Sequence, residues 1–476
     1  MTKIIEKSAT KLVNEIKTGT LSSEEVVKAF LNQIKTVNPI LNAVVQQKTN
    51  EAIFQAQQAD KKIALKENLG KLHGLPITIK DFCDVKGYLC TYGTEGYKDR
   101  LASNSAFCVK KLLDEGAIII GMTNSPELAE AYETSNVIYG TTNNPYNLEY
   151  SPGGSSGGEA AILAANGSPL GLGSDGGGSI RVPSHFCGIA GIKPTQGLLS
   201  LDGIHAPFSG IGLINPHGTF GPMARYVEDL KLALPILSGY NFRDPTSLPV
   251  KISYFSKLKI NNLRIAVYTD NGIVKVNTAI SSVIEKVARF LSDQGCTVDR
   301  VTLPNIEKTF ELFWKVYFRK GVQGKNAYDT FKQLNTKNIS PLQKEFIRDS
   351  QKTFFSLIDL YKHISEIAKF RVEMHHFMDN YDIILCPPCA THAKLHGTSF
   401  SNIEDYTYTM TYNLLGWPAG VVRCGQTEEG LPIGVQIVGK TWCDYLMIDI
   451  LHKLEQEFGG FHAPNLSQKS HEETNF

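Results

Sequence analysis

Residues 151–195 contain two glycine-rich clusters that carry serine. The clusters read GGSSGG over residues 153–158 and GGGS over residues 176–179. Glycine at this density is unfavourable inside a helix or strand, where each one costs about 0.5–1 kcal/mol relative to alanine. It instead permits unusual backbone angles and lets a ligand approach backbone N–H groups. A serine at the edge of each loop indicates a nucleophile beside an anion-stabilising set of N–H donors.

Four motifs resemble those of the amidase signature family: ITIKD at residues 77–81, then GGSSGGE, GSDGGGSIRVP and GIKPT. The similarity covers nearly the whole chain and thins between about residues 244 and 380. It implies an α/β fold with a single large mixed β-sheet covered by helices on both faces. It also implies one domain over residues 1–476, whose parts are an N-terminal helical region, a catalytic core, a divergent substrate region and a C-terminal part of the core (1–70, 71–240, 241–420 and 421–476).

The same resemblance assigns the catalytic residues one at a time. Lys80 matches the lysine of the ITIKD block, and Ser155 matches the first serine of GGSSGG, which in the family follows a cis peptide bond. Ser179 matches the acylated nucleophile of the GGGSIR block. The resemblance therefore implies that the chain hydrolyses a small-molecule amide through an acyl-enzyme intermediate, without a cofactor, and that Ser155 relays the proton from Ser179 to Lys80.

Amide hydrolysis sets a condition on Lys80. A lysine acts as a base only when it is neutral, so its reference pKa of about 10.4 must fall by roughly 2–3 units. Lys80 ends a short apolar run at residues 75–80 that predicts a buried strand, and burial supplies this desolvation. Strand alternation predicts that the adjacent Asp81, whose charge would raise the same pKa, points to the opposite face.

The residues around Ser179 are expected to support it. Asp175 and Arg181 flank the nucleophile and, with Ser156, are predicted to fix the loop. Considered alone, Asp175 and Arg181 most simply form a structural ion pair. The oxyanion of the reaction is predicted to bind the backbone N–H groups of four consecutive residues: Gly176, Gly177, Gly178 and Ser179.

Two other enzyme motifs occur in the same segment by chance. Residues 154–158 satisfy the G-x-S-x-G pattern of α/β-hydrolases, but that motif needs a strand directly before it, and the preceding residues have the composition of a loop. Residues 171–176 satisfy the dinucleotide-binding pattern G-x-G-x-x-G. There a helix should follow at once, and Gly177, Gly178 and Pro183 argue against one.

Bulk properties limit the partners and the compartment. A net charge of +1, from 48 basic and 47 acidic residues, argues against nucleic acid as a partner. No apolar run approaches the ~18 residues of a membrane span, and the N-terminus lacks the apolar core of a signal peptide. Nine cysteines without a disulfide-framework spacing fit a reducing cytoplasm. We expect a cytoplasmic enzyme, with peripheral membrane attachment left open and a homodimer compatible with the sequence.

Cysteine and histidine patterns do not predict a metal site. Cys386 and Cys389 form a C-x-x-C pair, but no second pair completes a zinc site, and ordinary thiols are the simpler interpretation. The histidines at 375–376, and the pair His392 and His396, lack a carboxylate or cysteine partner at ligand spacing. We therefore expect no metal.

Hydrophobic periodicity indicates helices alternating with apolar strands. A helix is predicted over residues 22–34, opened by a capping box between Ser22 and Glu25. A second helix is predicted over residues 280–291. Buried strands are predicted at residues 117–121, 263–268 and 434–438, and further strands at residues 296–301 and 381–385.

A group of aromatic residues in the divergent region bears on the substrate. They share one helical face: Phe310, Phe313, Trp314, Tyr317 and Phe318. Core packing is the simplest interpretation of any one of them. Together they predict an apolar channel for an acyl group, with Phe313 and Trp314 as the candidate substrate contacts.

Three functions remain open from the sequence. The first is a stand-alone hydrolase of apolar acyl amides, which the C-terminal region favours because it resembles the fatty-acid amide hydrolase branch of the family. The second is the glutamine-hydrolysing subunit of a tRNA-dependent amidotransferase complex. The third is a non-catalytic binding protein, which the intact Lys80, Ser155 and Ser179 argue against.

Overall fold

The computed structural model describes residues 2–204, 217–250, 260–317, 331–350 and 356–466. Within these ranges the strands are β1 (Val44–Gln46), β2 (Pro76–Lys80), β3 (Ile118–Thr123), β4 (Ser135–Asn136), β5 (Gly140–Thr141), β6 (Leu170–Asp175), β7 (Ala190–Lys193), β8 (Thr219–Ala224), β9 (Arg264–Val267), β10 (Thr297–Arg300), β11 (Ile383–Cys386), β12 (Ala419–Gln426) and β13 (Pro432–Gly439).

The helices of the same described ranges are α1 (Thr2–Ile5), α2 (Ala9–Lys17), α3 (Ser23–Leu41), α4 (Thr49–Ala64), α5 (Phe107–Asp114), α6 (Gly157–Ala164), α7 (Arg181–Phe186), α8 (Val227–Leu237), α9 (Thr278–Asp293), α10 (Thr309–Tyr317), α11 (Pro341–Ser350), α12 (Leu357–Met378), α13 (Thr407–Leu415) and α14 (Asp444–Phe458).

Eleven of the described strands form one mixed sheet. Their order is β1-β3-β2-β6-β8-β7-β12-β13-β11-β9-β10, and β4 pairs separately with β5. Strand β2 runs parallel to β3 and β6, and β9 runs parallel to β10 and β11. The remaining pairs of the sheet are antiparallel. The predicted fold class, a single large mixed sheet in an α/β protein, is confirmed.

The centre of this sheet is buried on both faces. Every residue of β2, β3, β6, β8 and β13 is buried. Strands covered on both faces are apolar along their whole length rather than at alternate positions, as the sequence IIIGMT of β3 illustrates. A charged side chain in such a strand is exceptional, and these five strands contain two, Lys80 at the end of β2 and Asp175 at the end of β6.

The predicted N-terminal helix and its capping box are confirmed in α3. The Ser22 hydroxyl accepts a hydrogen bond from the Glu25 amide at 3.0 Å, and the Glu25 carboxylate accepts one from the Ser22 amide at 2.8 Å. The helix continues past the predicted end at residue 34, because its buried stripe continues through Val37 and Leu41. It ends where Asn42 adopts a left-handed conformation.

The other predicted elements are present with shifted ends. The helix predicted over 280–291 is α9, whose N-terminal Ala279 amide donates to the Asn277 side chain at 2.8 Å. The predicted strands correspond to β3, β9, β10, β11 and β13. Of the aromatic face predicted on α10, Phe318 and the Tyr317 side chain lie outside what the structure describes.

The two chance motifs lack their structural context. The residues directly before Ser155 form turns and isolated bridges, so no strand leads into the G-x-S-x-G match. After Gly176, residues 177–180 are not helical, and α7 begins only at Arg181. Pro183 nevertheless lies inside α7, so the expectation that it argues against a helix was wrong. It occupies the first turn, where a backbone N–H has no acceptor within the helix in any case.

No helix among the described residues is both long enough and apolar enough to cross a membrane.

Candidate active site

The site forms where two parallel neighbouring strands end. Lys80 is the last residue of β2, and Asp175 is the last residue of β6. The two strands pair in parallel, with Ile79 opposite Leu172, so their carboxyl ends meet at the same edge of the sheet. Ser155 lies in the loop before α6 and follows a cis peptide bond from Gly154, as the family resemblance implied.

Lys80 is held by two hydroxyl groups. Its Nζ donates hydrogen bonds to Ser155 Oγ at 2.6 Å and to Ser174 Oγ at 2.9 Å, and its side chain is fully buried. Burial lowers the pKa of the Lys80 ammonium from 10.5 to about 7, although the negative charges of Asp175 and Glu159 oppose this effect. The neutral form required of a base is therefore available near neutral pH.

The carboxyl group next to this lysine has its own partners. Asp81 accepts hydrogen bonds from the Thr91 amide at 2.8 Å and from Thr91 Oγ1 at 2.5 Å. Burial raises the pKa of Asp81 to about 6, against the effect of these hydrogen bonds. The side chain of Asp81 is thus engaged with Thr91, whereas Lys80 is engaged with the serines.

One cavity brings the two predicted serines together. Ser155 and Ser179 line it with Ser174, Gly176 and Phe82. Ser179 remains 9% exposed, whereas Ser155 is 1% exposed. The geometry therefore leaves Ser179 the more accessible of the two hydroxyl-bearing residues and places Ser155 between the cavity and Lys80.

Ser156 connects the two serine loops. Its amide donates to the carbonyl of Ser179 at 3.1 Å. Its hydroxyl donates to the carbonyl of Ser174 at 3.2 Å and accepts from the Ser174 amide at 3.3 Å. These contacts fix the position of the loop of Ser155 relative to the end of β6 and to Ser179.

Asp175 and Arg181 form a fully buried ion pair. Arg181 donates to the Asp175 carboxylate through Nε at 3.0 Å and Nη2 at 2.9 Å. The carboxylate also accepts hydrogen bonds from the Gly178 amide at 2.8 Å and the Asn413 side chain at 3.0 Å. Burial alone would raise the pKa of Asp175, but Arg181 and Asn413 hold it below its usual range. The pair thus stays charged and anchors the loop of residues 176–179, the glycine loop.

The hydrogen bond from the Gly178 amide shows that the prediction of Gly178 as an oxyanion donor was wrong. Because the Gly178 amide already donates to Asp175, it anchors the loop and does not point toward a substrate. Its backbone φ of +124° suits glycine, and a Cβ there would overlap the hydroxyl of Thr409. The predicted oxyanion donors are therefore reduced to the amides of Gly176, Gly177 and Ser179.

A second, aromatic cavity meets the first at Ser179. Its wall is built mainly of apolar side chains: Phe313, Trp314, Phe346, Phe400 and Ile403. Phe313 is 3% exposed, and the ring of Trp314 stacks on Phe310 with centroids 5.4 Å apart. Both residues predicted to contact substrate therefore line a cavity together with Gly177 and Ser179. Phe313 is buried and Trp314 is partly buried, so a packing role fits both residues as well.

The C-x-x-C pair consists of ordinary buried thiols. Cys386 and Cys389 are both free, and Cys386 Sγ lies 3.5 Å from the Tyr412 hydroxyl. Within the residues that the structure describes, no three His, Cys, Asp or Glu side chains gather in a way that could hold a metal ion.

Several side chains of the site were missed from the sequence. They are Ser174, Tyr132, Thr409, Asn413 and Gln436, which contact Lys80, the glycine loop or Arg181. Ser174 offered a signal, because it and Asp175 are polar residues at the end of the apolar strand LGLGSD. The other four carry no local pattern that distinguishes them from ordinary core residues.

The chain is similar to known proteins over nearly its whole length. The chain matches the family model described as Amidase over residues 25–448. Fatty-acid amide hydrolase 2-A of Danio rerio is 32% identical over 489 residues, covering 96% of this chain and 90% of the relative. A glutamyl-tRNA(Gln) amidotransferase subunit of Lachnoclostridium phytofermentans is 32% identical over 494 residues, covering 95% of this chain and 97% of the relative. A solved structure of a fatty acid amide hydrolase superposes with a TM-score of 0.87 at 26% identity, covering 96% of this chain and 86% of that one.

The chain therefore belongs to the amidase signature family, as its motifs indicated. It is an amidase, a hydrolase of amide C–N bonds. The fatty-acid amide hydrolase and the amidotransferase subunit are both 32% identical to this chain. Sequence identity therefore does not decide between the functions that their names state.

Proposed function

We propose that this protein is a serine hydrolase that cleaves carboxylic amides with Ser179 as nucleophile, Ser155 as proton relay and Lys80 as base. The observation that carries the proposal is the contact between Lys80 Nζ and Ser155 Oγ at 2.6 Å, in a site whose cavity is lined by Ser155 and Ser179. The low pKa of the buried Lys80, about 7, supports its role as a base.

In the acylation step, Ser179 Oγ attacks the carbonyl carbon of the amide as its proton passes to Ser155. Ser155 in turn gives its proton to neutral Lys80. The negative charge that develops on the carbonyl oxygen is stabilised by the amides of Gly176, Gly177 and Ser179. The proton then returns through Ser155 to the amide nitrogen, the C–N bond breaks, and the amine leaves.

Deacylation repeats the same sequence with water. Water attacks the ester that joins the acyl group to Ser179, and its proton passes to Lys80 through Ser155. The carboxylic acid is released when the proton returns to Ser179 Oγ. The Asp175–Arg181 pair exchanges no proton in this scheme and acts only by fixing the glycine loop.

We propose apolar acyl amides as the substrates. The aromatic cavity that adjoins Ser179 supports this choice, because Phe313, Trp314 and Phe346 offer apolar surface to an acyl chain. The relative named fatty-acid amide hydrolase 2-A is consistent with it. The alternative is a glutamine-hydrolysing subunit that works with partner chains, which the equally identical amidotransferase relative supports.

Assays of the purified chain alone distinguish the two functions. We expect steady hydrolysis of aryl amides such as a medium-chain acyl anilide, and little hydrolysis of glutamine. Ser179→Ala serves as the control for contaminating activity. Glutamine hydrolysis that exceeds anilide hydrolysis, or activity that appears only with added amidotransferase partners, would favour the alternative.

A further inference from the structure

The peptide unit between Gly177 and Gly178 lies directly before Ser179. Side chains form hydrogen bonds with both its carbonyl oxygen and its amide. Its carbonyl oxygen accepts hydrogen bonds from Tyr132 OH at 2.8 Å and from Thr409 Oγ1 at 2.9 Å. Its amide donates to Asp175 at 2.8 Å. These partners come from three separate segments: the loop before β4, the helix α13 and the end of β6. The orientation of this peptide is therefore set from outside the loop.

Such external support is required by the sequence of the loop. Three consecutive glycines have no Cβ atoms to restrict their backbone angles, so a peptide between them can rotate at little steric cost. A rotation that turned the Gly177 carbonyl toward the cavity would bring its negative end toward the developing oxyanion. The hydroxyl groups that hold this carbonyl thus keep the adjacent amides directed at the reacting oxygen.

Tyr132 is itself firmly placed. Its ring stacks on Tyr406 with centroids 3.8 Å apart and an interplanar angle of 6°. It lines the aromatic cavity, and a Cβ on Gly177 would lie 2.9 Å from its hydroxyl and 2.7 Å from Phe313. Tyr132 therefore joins the wall of the proposed acyl cavity to the nucleophile loop.

The two hydroxyl donors are not equivalent. Thr409 Oγ1 lies 2.9 Å from the carbonyl of Gly177 and also 2.9 Å from the carbonyl of Tyr406. A hydroxyl has one proton, so Thr409 divides its donation between two acceptors. Thr409 therefore constrains the Gly177 carbonyl with only part of its donating capacity.

We propose that the Tyr132 hydroxyl is a positioning residue of the reaction: it holds the Gly177 carbonyl away from the reacting centre and so keeps the oxyanion donors aligned. This inference rests on the proposed function, because it requires Ser179 to form a tetrahedral intermediate. Tyr132 would then contribute to transition-state binding in addition to Lys80, Ser155 and Ser179.

Tyr132→Phe tests the proposal because it removes only the hydroxyl and keeps the stacked ring. We expect kcat on an acyl anilide to fall by about tenfold or more while KM changes little, since the contact acts in the transition state. Binding of an aryl-alkyl trifluoromethyl ketone, whose hemiketal on Ser179 carries an oxyanion, should weaken by a similar factor. Binding of the alcohol made by reducing that ketone should be unchanged.

Two further variants complete the design. Tyr408→Phe removes another tyrosine hydroxyl, which donates to the carbonyls of Thr269 and Val274 away from the cavity, and should keep the ratio of ketone to alcohol affinity. Thr409→Val should lower that ratio less than Tyr132→Phe does. Equal weakening of ketone and alcohol binding in Tyr132→Phe, or an unchanged kcat, would overturn the inference. Absence of any ketone adduct in the unsubstituted protein would instead count against the proposed function.

Discussion

The ammonium nitrogen of Lys80 lies 2.6 Å from the hydroxyl oxygen of Ser155, although 75 residues separate the two in sequence. The contact forms because β2 ends at Lys80 directly beside β6, and the loop of Ser155 folds over that edge. Both side chains are almost completely removed from solvent. Burial lowers the pKa of Lys80 to about 7, so a neutral lysine is available near neutral pH.

The first prediction concerns the pH dependence of activity. Because the pKa of Lys80 is lowered to about 7, kcat/KM should rise with pH through an apparent pKa near that value and level off above it. Lys80→Ala should abolish the rise and lower amide turnover more than ester turnover, because the amine leaving group needs the returned proton. The measurement is a pH profile of kcat/KM for a matched amide and ester.

Lys193 provides the matched control for this profile. It is also a fully buried lysine, and burial lowers its pKa to about 7, but its Nζ donates to the carbonyl of Pro194. Lys193→Met should leave the rise in place. A profile that is unaltered in Lys80→Ala, or that disappears in Lys193→Met, contradicts the assignment of the base.

The second prediction concerns the relay. Ser155→Ala should lower kcat by roughly two to four orders of magnitude, the usual contribution of positioned proton transfer, yet leave slow acylation because water can replace part of the relay. Burst kinetics with an activated ester measure the acylation step. Ser168→Ala removes a buried hydroxyl that donates to the nearby Leu170 carbonyl, and this variant should acylate at the normal rate. Undiminished acylation in Ser155→Ala would exclude the relay.

The third prediction concerns the buried ion pair. Asp175→Asn leaves the buried guanidinium of Arg181 without its counter-charge, so the free energy of unfolding should fall by about 3–5 kcal/mol. Urea denaturation at neutral pH measures this change. Glu285→Gln breaks the exposed pair with Arg300 and should have little effect, since exposed pairs contribute little. Equal effects of the two substitutions would show that the buried pair does not anchor the loop.

The fourth prediction concerns the acyl group. Each methylene buried in an apolar cavity contributes about 0.8 kcal/mol, or about fourfold in kcat/KM, until the cavity is full. Medium-chain acyl amides should therefore exceed acetamide by at least about two orders of magnitude. Trp314→Ser should flatten this dependence without abolishing activity on short amides.

Melting curves separate a binding role of Trp314 from a packing role. If Trp314 only packs in the core, Trp314→Ser should lower the melting temperature and reduce activity on every substrate to the same extent. Phe290→Ser, at an aromatic contact with Phe458 in another part of the core, controls for the loss of an aromatic side chain. A flat chain-length profile in the unsubstituted protein would reject the acyl cavity as the substrate site.

The sequence identified those parts of the site that short motifs encode. Lys80 and Ser155 could be assigned because their blocks are distinctive, and the burial of Lys80 followed from the apolar run before it. The capping box of Ser22 and Glu25 was recognisable because it depends on residues only three apart.

What the sequence did not predict depends on contacts between distant segments. The spacing of glycines does not reveal which backbone amide already donates a hydrogen bond within the protein. The Gly178 amide was predicted to bind the oxyanion, but it donates to Asp175 instead. Tyr132 and Thr409 reach the Gly177 carbonyl from 45 and 232 residues away, respectively. Contacts of this kind follow from the packing of the sheet and α13, which local patterns do not specify.

The most direct test of the mechanism is to locate the covalent adduct. The purified chain is treated with a fluorophosphonate, digested, and analysed by peptide mass spectrometry, with Ser179→Ala treated in parallel. We expect one modified residue, Ser179, and no modification in the variant, whose melting curve should match that of the unsubstituted chain. Modification of Ser155 or Ser156, or persistent modification in Ser179→Ala, would contradict the assignment of Ser179 as the nucleophile.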